Sequence, residues 1–443
     1  MHRYFKSLLE LSSAAGSDLS AVPEFLCVEL LAENMLNGGT RSYSAHSHTI
    51  RGMNPAFLTK GVVKSLSGLR RYAIEGDLFR CFGDAEPRGF MVHPNSLEKT
   101  TLRHRGRLTD LPYTTHHFWA LSSMRSLLYE SDGEWRRTKL HLEDVQISRY
   151  FRNLGGRTIE HSVAVSRAVM AGWKKIQDLY TNPLPLGFYE ESAGLAIRSQ
   201  LGREVHAMSN LARNGEWGSI ERSLYPIGVD GNLAAIPLFA LYGKSSSGDS
   251  AAVLLERMMA ESGLAPGVFI FERIMAPVIS AWVAVFRATG IIWEPHAQNV
   301  VFLCCPDTLE PQAIALRDAD TAVSSTQRDI LDLPCGEFFA KNVHDSAPTQ
   351  ELPAGDLSEI SRVLDISMGH NTFRYLSTVY RDLFGGDPIE LQEQCRLLFR
   401  EIWPEVPQWM SADVYKYSPQ PLPDDPNCYP LTRCPNQAPV WRP

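Results

Sequence analysis

The sequence predicts an α+β fold, and three observations carry that expectation. Helix-patterned and strand-patterned stretches are segregated along the chain, which disfavours a doubly wound parallel sheet. Two β runs, Val300–Cys305 and Ala313–Leu316, flank the turn-rich Pro306-Asp307-Thr308-Leu309-Glu310-Pro311 and read as a hairpin. The composition, 44% hydrophobic and 21% charged over 443 residues, is that of a globular chain with room for roughly three domain-sized units.

The elements follow in order. Ser7–Leu11 and Val22–Leu36 read as helices, the second with Pro23 near its first turn, and both end before Gly38-Gly39. Residues 40–52 are polar and loop-like. Residues 159–215 read as helical, including Val163–Tyr180, which stops before Asn182-Pro183. Residues 265–289 form a second strong helix ended by Thr289-Gly290. Its apolar stretch, Met275 to Phe286, is flanked by Arg273 and Arg287 and is too short to span a bilayer, so it reads as a buried helix. Residues 356–403 are helical again. From Ser418 to Pro443 eight prolines predict an extended tail, ordered only where it docks on the body. No internal repeat of solenoid or propeller length is visible.

Composition also excludes functions. The net charge of -7 is wrong for a general nucleic-acid coat. The N-terminus carries charges too early for a signal peptide, and no membrane span is expected. Eight cysteines lack a pairing rhythm, so a disulfide or zinc framework is not expected and reduced, cytoplasmic thiols fit better.

Charge is unevenly spread. Between residues 88 and 157, twelve Lys or Arg stand against seven Asp or Glu, a net of +5, leaving -12 for the rest. A cationic island in an acidic chain suits an anion, although Arg103-His104-Arg105-Gly106-Arg107 taken alone reads equally as a solvated loop.

Four segments could carry chemistry. Glu294-Pro295-His296-Ala297-Gln298-Asn299, followed by the hairpin and then Arg317-Asp318, offers neutral donors for phosphate oxygens and two carboxylates for a hard cation such as Mg²⁺. The bland alternative is a capped turn with a surface Asp. Ser122-Ser123-Met124-Arg125-Ser126 combines a guanidinium fork with hydroxyls, a phosphate-binding set when it is not simply a Ser-rich turn. Lys139-Leu140-His141-Leu142 opens a strand-like alternation and leads, through Gln146-Ile147-Ser148, to Arg152 after a helical turn. Val92-His93-Pro94 reads by itself as an ordinary X-Pro turn.

Taken in this order, the motifs resemble those of the NRPS-independent siderophore synthetases of the aerobactin synthetase type. The resemblance runs from about Leu30 to Asp320 and is most specific in His-x-Gln-Asn plus Arg-Asp. It implies the family's cupped-hand architecture of thumb, fingers and palm, with an antiparallel sheet and a helical C-terminal part. It also implies ATP and Mg²⁺, a carboxylate such as citrate that is adenylated, and an amine or hydroxyl that accepts the acyl group. Residue by residue, Ser123, Arg125 and Ser126 match phosphate and nucleotide contacts, with Ser126 in place of Thr. Lys139 matches the nucleotide-binding Lys. Ser148 and Arg152 match the next motif, whose Arg is expected near the phosphate or the acid. His296, Gln298 and Asn299 match the triphosphate side, and Glu294 and Asp318 the acidic positions near Mg²⁺. The implied division is an N-terminal helical lobe over 1–87, a nucleotide-binding region over 88–320, a helical region over 321–417 and the tail over 418–443. Family members often dimerise, and the sequence leaves the oligomeric state open.

There are departures. The family's N-terminal His-Pro-x-His-Pro-x-x-Lys-x-Arg-x-Gly-Phe motif is reduced to His46-Ser47-His48-Thr49-Ile50-Arg51-Gly52-Met53, so His46, His48 and Arg51 are its surviving candidates. One residue is inserted between Lys139 and Arg152, and the N-terminal lobe is short.

The chemistry follows from residue types. Kinase-like phosphotransferases place an Asp two positions after the His to take a proton from a hydroxyl. Gln298 stands there and cannot act as a base. A carboxylate nucleophile is already ionised at neutral pH and needs none. Acyl-adenylate formation therefore fits better than hydroxyl phosphorylation. Two other readings remain at this level: a non-catalytic relative that binds nucleotide or a siderophore, and a ligase making an unrelated amide or ester.

Overall fold

The computed structural model describes residues 1–38, 40, 50–58, 61–74, 79–83, 90–97, 108–111, 117–147, 150–197, 217–229, 232–245, 254–338, 343–344, 356–421 and 429–443. Two sheets organise them. The larger is antiparallel throughout, with strands in the order Phe79–Gly83, Ala193–Ile197, Trp217–Arg222, Glu134–Leu140, Ser126–Ser131 and Phe118–Ala120. The smaller runs Leu186–Phe188, Pro311–Leu316, Val300–Cys304 and Ala234–Pro237, with only the first pair parallel. The fold is α+β, as the segregation of helix and strand patterns predicts.

The expected hairpin is the central pair of the smaller sheet. Its strands are almost wholly buried, which is why they read as apolar runs rather than alternations. The core helical segment Pro266–Thr289 packs against helices Trp173–Leu179 and Pro388–Ile402 and the short strand Ile291–Ile292. It contains a π-helical stretch, Phe269–Met275, and ends on Gly290 in the left-handed conformation (φ 73°) that a helix C-terminus favours. The segment is long and apolar enough to cross a membrane, and most of it lies inside the protein, as the buried-helix reading expects.

Helix Gly156–Ala171 covers one face of the larger sheet. Ile159 sits so close to two strand glycines that a Cβ on Gly194 or Gly218 would fall 2.2 or 2.0 Å from its side chain. Beyond helix Trp173–Leu179 the expected helix gives way to strands Leu186–Phe188 and Ala193–Ile197. Pro183 and Pro185 remove helix donors there. Ala193–Ile197 is buried on both faces, so it shows no period of two. Residues 198–215 lie outside the described set. Arg152 likewise follows a short strand, Tyr150–Phe151, and not a helical turn.

At the N-terminus the helices are Arg3–Ala14 and Glu24–Met35. The second is buried all round and includes Glu29 and Glu33, at 1% and 0% exposure. The C-terminal helices run Asp356–Arg362, a π-helical Val363–Phe373, Arg374–Phe384 and Pro388–Ile402. In the Pro-rich tail, Leu431–Cys434 pairs with Val414–Tyr417, and Trp441 and Arg442 are buried against the body. Tail docking is thus through a hairpin and a terminal anchor.

His93 takes the X-Pro role. It is fully buried, and its Nδ1 accepts the Asn95 N–H at 3.1 Å, capping the short 3-10 turn Pro94–Ser96. Burial lowers its pKa to about 3. An unfolded histidine titrates near 6.5, so the unfolded chain takes up a proton the native chain refuses, and stability falls as pH drops below that value. His93→Asn keeps a capping acceptor and removes the titration. Between pH 6.5 and 5.5 its stability should fall less than wild type's, by at most about 1.4 kcal/mol per pH unit, in urea titrations; parallel curves would refute this. Gly218→Ala should cost about 1–3 kcal/mol by overpacking against Ile159, and Ile159→Val in the same chain should recover part of the lost thermal midpoint.

Candidate active site

One face of the larger sheet is laid with cations. Ser126 and Lys139 are directly opposed on neighbouring strands, as are Arg137 and Arg222. Arg137 and Lys139, two apart on one strand, therefore point the same way. All four side chains are buried. Burying three cations is costly unless each is paired, and the partners come from outside the sheet. Glu29 on helix Glu24–Met35 receives both terminal nitrogens of Arg137 at 2.8 Å. Glu191, in the link between strands Leu186–Phe188 and Ala193–Ile197, receives Arg222. Asp318, just past the hairpin, receives Lys139 Nζ at 2.7 Å, with Glu191 a further 3.9 Å contact of the same amine.

A second buried pair fixes the hairpin motif. Arg317 donates to Glu33 through Nη2 and to the Gln298 carbonyl at 2.7 Å through Nε. Glu33 also accepts the Ser122 N–H at 3.2 Å and the Ser122 hydroxyl. The Gln298 side chain donates to that same hydroxyl at 3.2 Å. Two acids four residues apart on one helix thus bind the serine-rich turn, the His-Ala-Gln-Asn turn and Arg-Asp together.

The turn 294–299 is closed by its own side chains. Asn299 donates its amide to the Glu294 carbonyl at 3.2 Å, and His296 Nδ1 accepts the Gln298 N–H at 3.3 Å. The second contact requires the tautomer with the proton on Nε2, which leaves Nε2–H as a donor. Burial lowers the His296 pKa, against the pull of Glu294 and Asp318, with Arg317 and Arg152 pushing the same way as burial. His296 is therefore a neutral donor near pH 7.

Asp318 is the electrostatic centre. Burial alone would raise its pKa, but Lys139, Arg222 and Arg125 outweigh burial and hold it well below the usual carboxylate range. Asp320 reaches solvent, yet its protein surroundings and Asp318 raise its pKa, against Lys139, His161 and Arg125. These mutual influences gather Arg125, Lys139, Arg152, Arg222, His296, Asp318 and Asp320 into one charged cluster. Two of its turns carry non-glycine residues in left-handed backbone, Met124 (φ 63°) beside Arg125 and Asp318 (φ 72°). Each such conformation costs of order 1 kcal/mol or more and persists where the surroundings enforce it.

Each candidate residue can now be located. Arg125 donates to the Asn153 carbonyl at 3.2 Å, and among the described residues no carboxylate lies within ion-pair distance of it. The Ser123 hydroxyl accepts the Ser126 N–H at 3.2 Å, and Ser126 stands beside Lys139. Arg152 is buried and acts on His296. Glu294 is held by Arg362 at 2.8 Å. Arg51 lies exposed on the short strand Ile50–Arg51, opposite Gln146. His46, His48 and Ser148 lie outside the described residues, as does the Arg103–Arg107 run. The cationic island divides: Arg137 is locked in the interior, Arg136 pairs with Glu134 at the surface, and Arg125, Lys139 and Arg152 act on the Asp318–His296 cluster. Sequence reading missed Glu29, Glu33, Glu191, Arg222 and Asp320. The Glu29/Glu33 spacing of four on an otherwise apolar helix was the available signal.

Comparison with known proteins bears on this geometry. Residues 87–242 match the model of the IucA / IucC family. That segment carries the serine–arginine turn, Lys139, Arg152, Glu191 and Arg222. The match covers about a third of the chain. No curated protein matches it by sequence. Among solved structures, it is similar to ATP-bound aerobactin synthetase IucA from a hypervirulent pathotype of Klebsiella pneumoniae, at TM-score 0.59 and 15% identity over 90% of this chain and 75% of that one. Aerobactin synthetase IucC from the same source gives 0.60 and 14%, over 91% and 74%. The petrobactin biosynthesis protein AsbB from Bacillus anthracis str. Sterne gives 0.58 and 15%, over 80% and 64%. The resemblance to the siderophore synthetases read from the motifs is thus met independently by the family model, and the fold is theirs.

Glu33→Gln keeps the shape but leaves Arg317 without its nearest charge. Breaking a buried pair this way should cost about 3–5 kcal/mol, read as a lowered urea midpoint. Adding Arg317→Met should restore part of it, because the orphaned charge is removed. A Glu33→Gln chain as stable as wild type would show that the pair does not hold the motifs.

Proposed function

We propose that the protein is an ATP-dependent ligase that adenylates a small di- or tricarboxylic acid and passes the acyl group to an amine or hydroxyl, in siderophore or related natural-product synthesis. The observation that carries this reading is the gathering of Arg125, Lys139, Arg152 and His296 about Asp318, in a chain with the synthetase fold. The ATP-bound neighbour supports ATP as the nucleotide.

Arg125 is the cation with charge to offer, because its guanidinium is committed to a neutral carbonyl. It and Lys139 hold phosphate oxygens and meet the charge that develops as the acid attacks the α-phosphorus. His296 adds a neutral Nε2–H donor, and Arg152 orients the incoming carboxylate. The acid oxygen bonds to phosphorus, the bridging oxygen leaves with pyrophosphate, and an amine or hydroxyl then displaces AMP from the acyl carbon. The second step relies on positioning, since the adenylate is already activated.

Asp318 and Asp320 suit Mg²⁺ carried in by a nucleotide, which needs one or two carboxylates beside substrate phosphates. Among the described residues no cluster of three His, Cys, Asp or Glu forms a ready-made cage. Asp318 and Asp320 would hold the cation, which would supply positive charge against the phosphates. Glu294, engaged by Arg362, is the outer acid of the pair expected from sequence.

The test is carboxylate-dependent ATP–pyrophosphate exchange across a panel of acids. Wild type should exchange with at least one acid. Arg125→Ala should lose about 3–5 kcal/mol of transition-state binding, roughly a hundredfold or more in kcat/KM. Arg136→Ala, which removes a surface cation from the same segment, should exchange as wild type does. Wild-type rates in both Arg125→Ala and His296→Ala would overturn the assignment. Nucleotide binding without exchange in wild type would replace catalysis by binding.

A further inference from the structure

A cavity of about 580 Å³ lies in the C-terminal part of the protein, between the helices 363–384, the start of helix Pro388–Ile402, strand Val414–Tyr417 and the terminal Val440-Trp441. Its size is that of a small-molecule site, about 300–1,000 Å³. No residue of the nucleotide cleft lines it. The segment Gly369-His370-Asn371-Thr372-Phe373-Arg374 supplies His370 and Arg374 to its lining.

Its chemistry is definite. Arg374 and Arg381, seven apart on one helix face, line it together with Lys416. The one acid in the lining, Asp365, is already engaged by the buried Arg442 at 3.1 Å and by the Tyr415 N–H at 2.9 Å. Arg374 stands 3.2 Å from the His370 ring, which meets Tyr417 edge-on at 4.8 Å. Tyr417 and Trp441 add flat apolar surface. Arg381 pairs with the exposed Asp382 at 2.8 Å, so Arg374 and Lys416 give the lining its excess positive charge; that excess favours an anion, and aromatic walls favour a planar body.

We propose that this cavity is a second small-molecule site, distinct from the nucleotide cleft, which takes an organic carboxylate bearing a planar ring. The wall that separates the two sites is also their link. The π-helical stretch Val363–Phe373 contributes Asp365 and His370 to the cavity, while its Thr372 hydroxyl donates to the Pro295 carbonyl at 3.2 Å and the adjacent Arg362 holds Glu294. π-helical turns of this kind concentrate at functional sites.

Calorimetry on the full chain with 2-naphthoate tests the proposal, beside 2-naphthalenemethanol as the uncharged analogue. Naphthoate should bind saturably, and the alcohol at least about tenfold more weakly, as expected for loss of a charge-assisted contact. Arg374→Ala and, separately, Arg381→Ala should each weaken naphthoate by at least about tenfold with unchanged thermal midpoints; both side chains are solvent-exposed, so folding is not at stake. Arg125→Ala and saturating ATP should leave naphthoate binding unchanged, so the result is independent of the ligase reading. Equal binding of acid and alcohol, indifference to both arginine variants, displacement by ATP, or no binding at all would each overturn it.

Discussion

Two carboxylates that never reach the cleft hold it in shape. Glu29 and Glu33 lie one helical turn apart inside the protein and are matched by Arg137 and Arg317. Buried charge is tolerated only when partnered with good geometry, and the cost of a mismatch makes such pairs effective at fixing register. Helix Glu24–Met35 therefore has one position relative to the larger sheet, the serine–arginine turn and the hairpin. A further amide contact, Asn34 to the Ala120 carbonyl at 3.0 Å, ties it to the sheet's edge strand. The motifs are brought together from positions almost two hundred residues apart by this interior frame and by their own contacts, Gln298 to Ser122 and Lys139 to Asp318.

The same logic extends to the cleft surface. Cations rise from one sheet face, and acids meet them from three separate segments. Arg137 and Arg222 are fully committed to structure, Lys139 is shared between Asp318 and Glu191, and Arg125 remains available. His296 fits as a neutral donor whose tautomer is set by its own turn. The left-handed backbones at Met124 and Asp318 show where local preference yields to this frame.

Much of this was readable from sequence. The hairpin, the buried helix up to Gly290 and the ordered motifs rest on local signals: apolar runs, turn residues and a helix stop. The strands Leu186–Phe188 and Ala193–Ile197 were not, because burial on both faces erases the alternation that marks a strand. Arg222 and Glu191 were hidden with them. Glu29 and Glu33 resemble solvated helix charges until the helix is seen to be enclosed on every side. Pairing across a hundred or more residues is a property of topology, and the periodicity of a single segment does not record it.

If an ionised acid attacks the α-phosphorus of ATP at this site, one of its oxygens must leave with AMP. Turnover with a carboxylate labelled with ¹⁸O in both oxygens, followed by mass spectrometry of the nucleotide and phosphate products, tests it most directly. The account predicts one ¹⁸O atom in AMP and unlabelled pyrophosphate. Label in inorganic phosphate with ADP as the nucleotide product would mean attack at the γ-phosphorus and would contradict it.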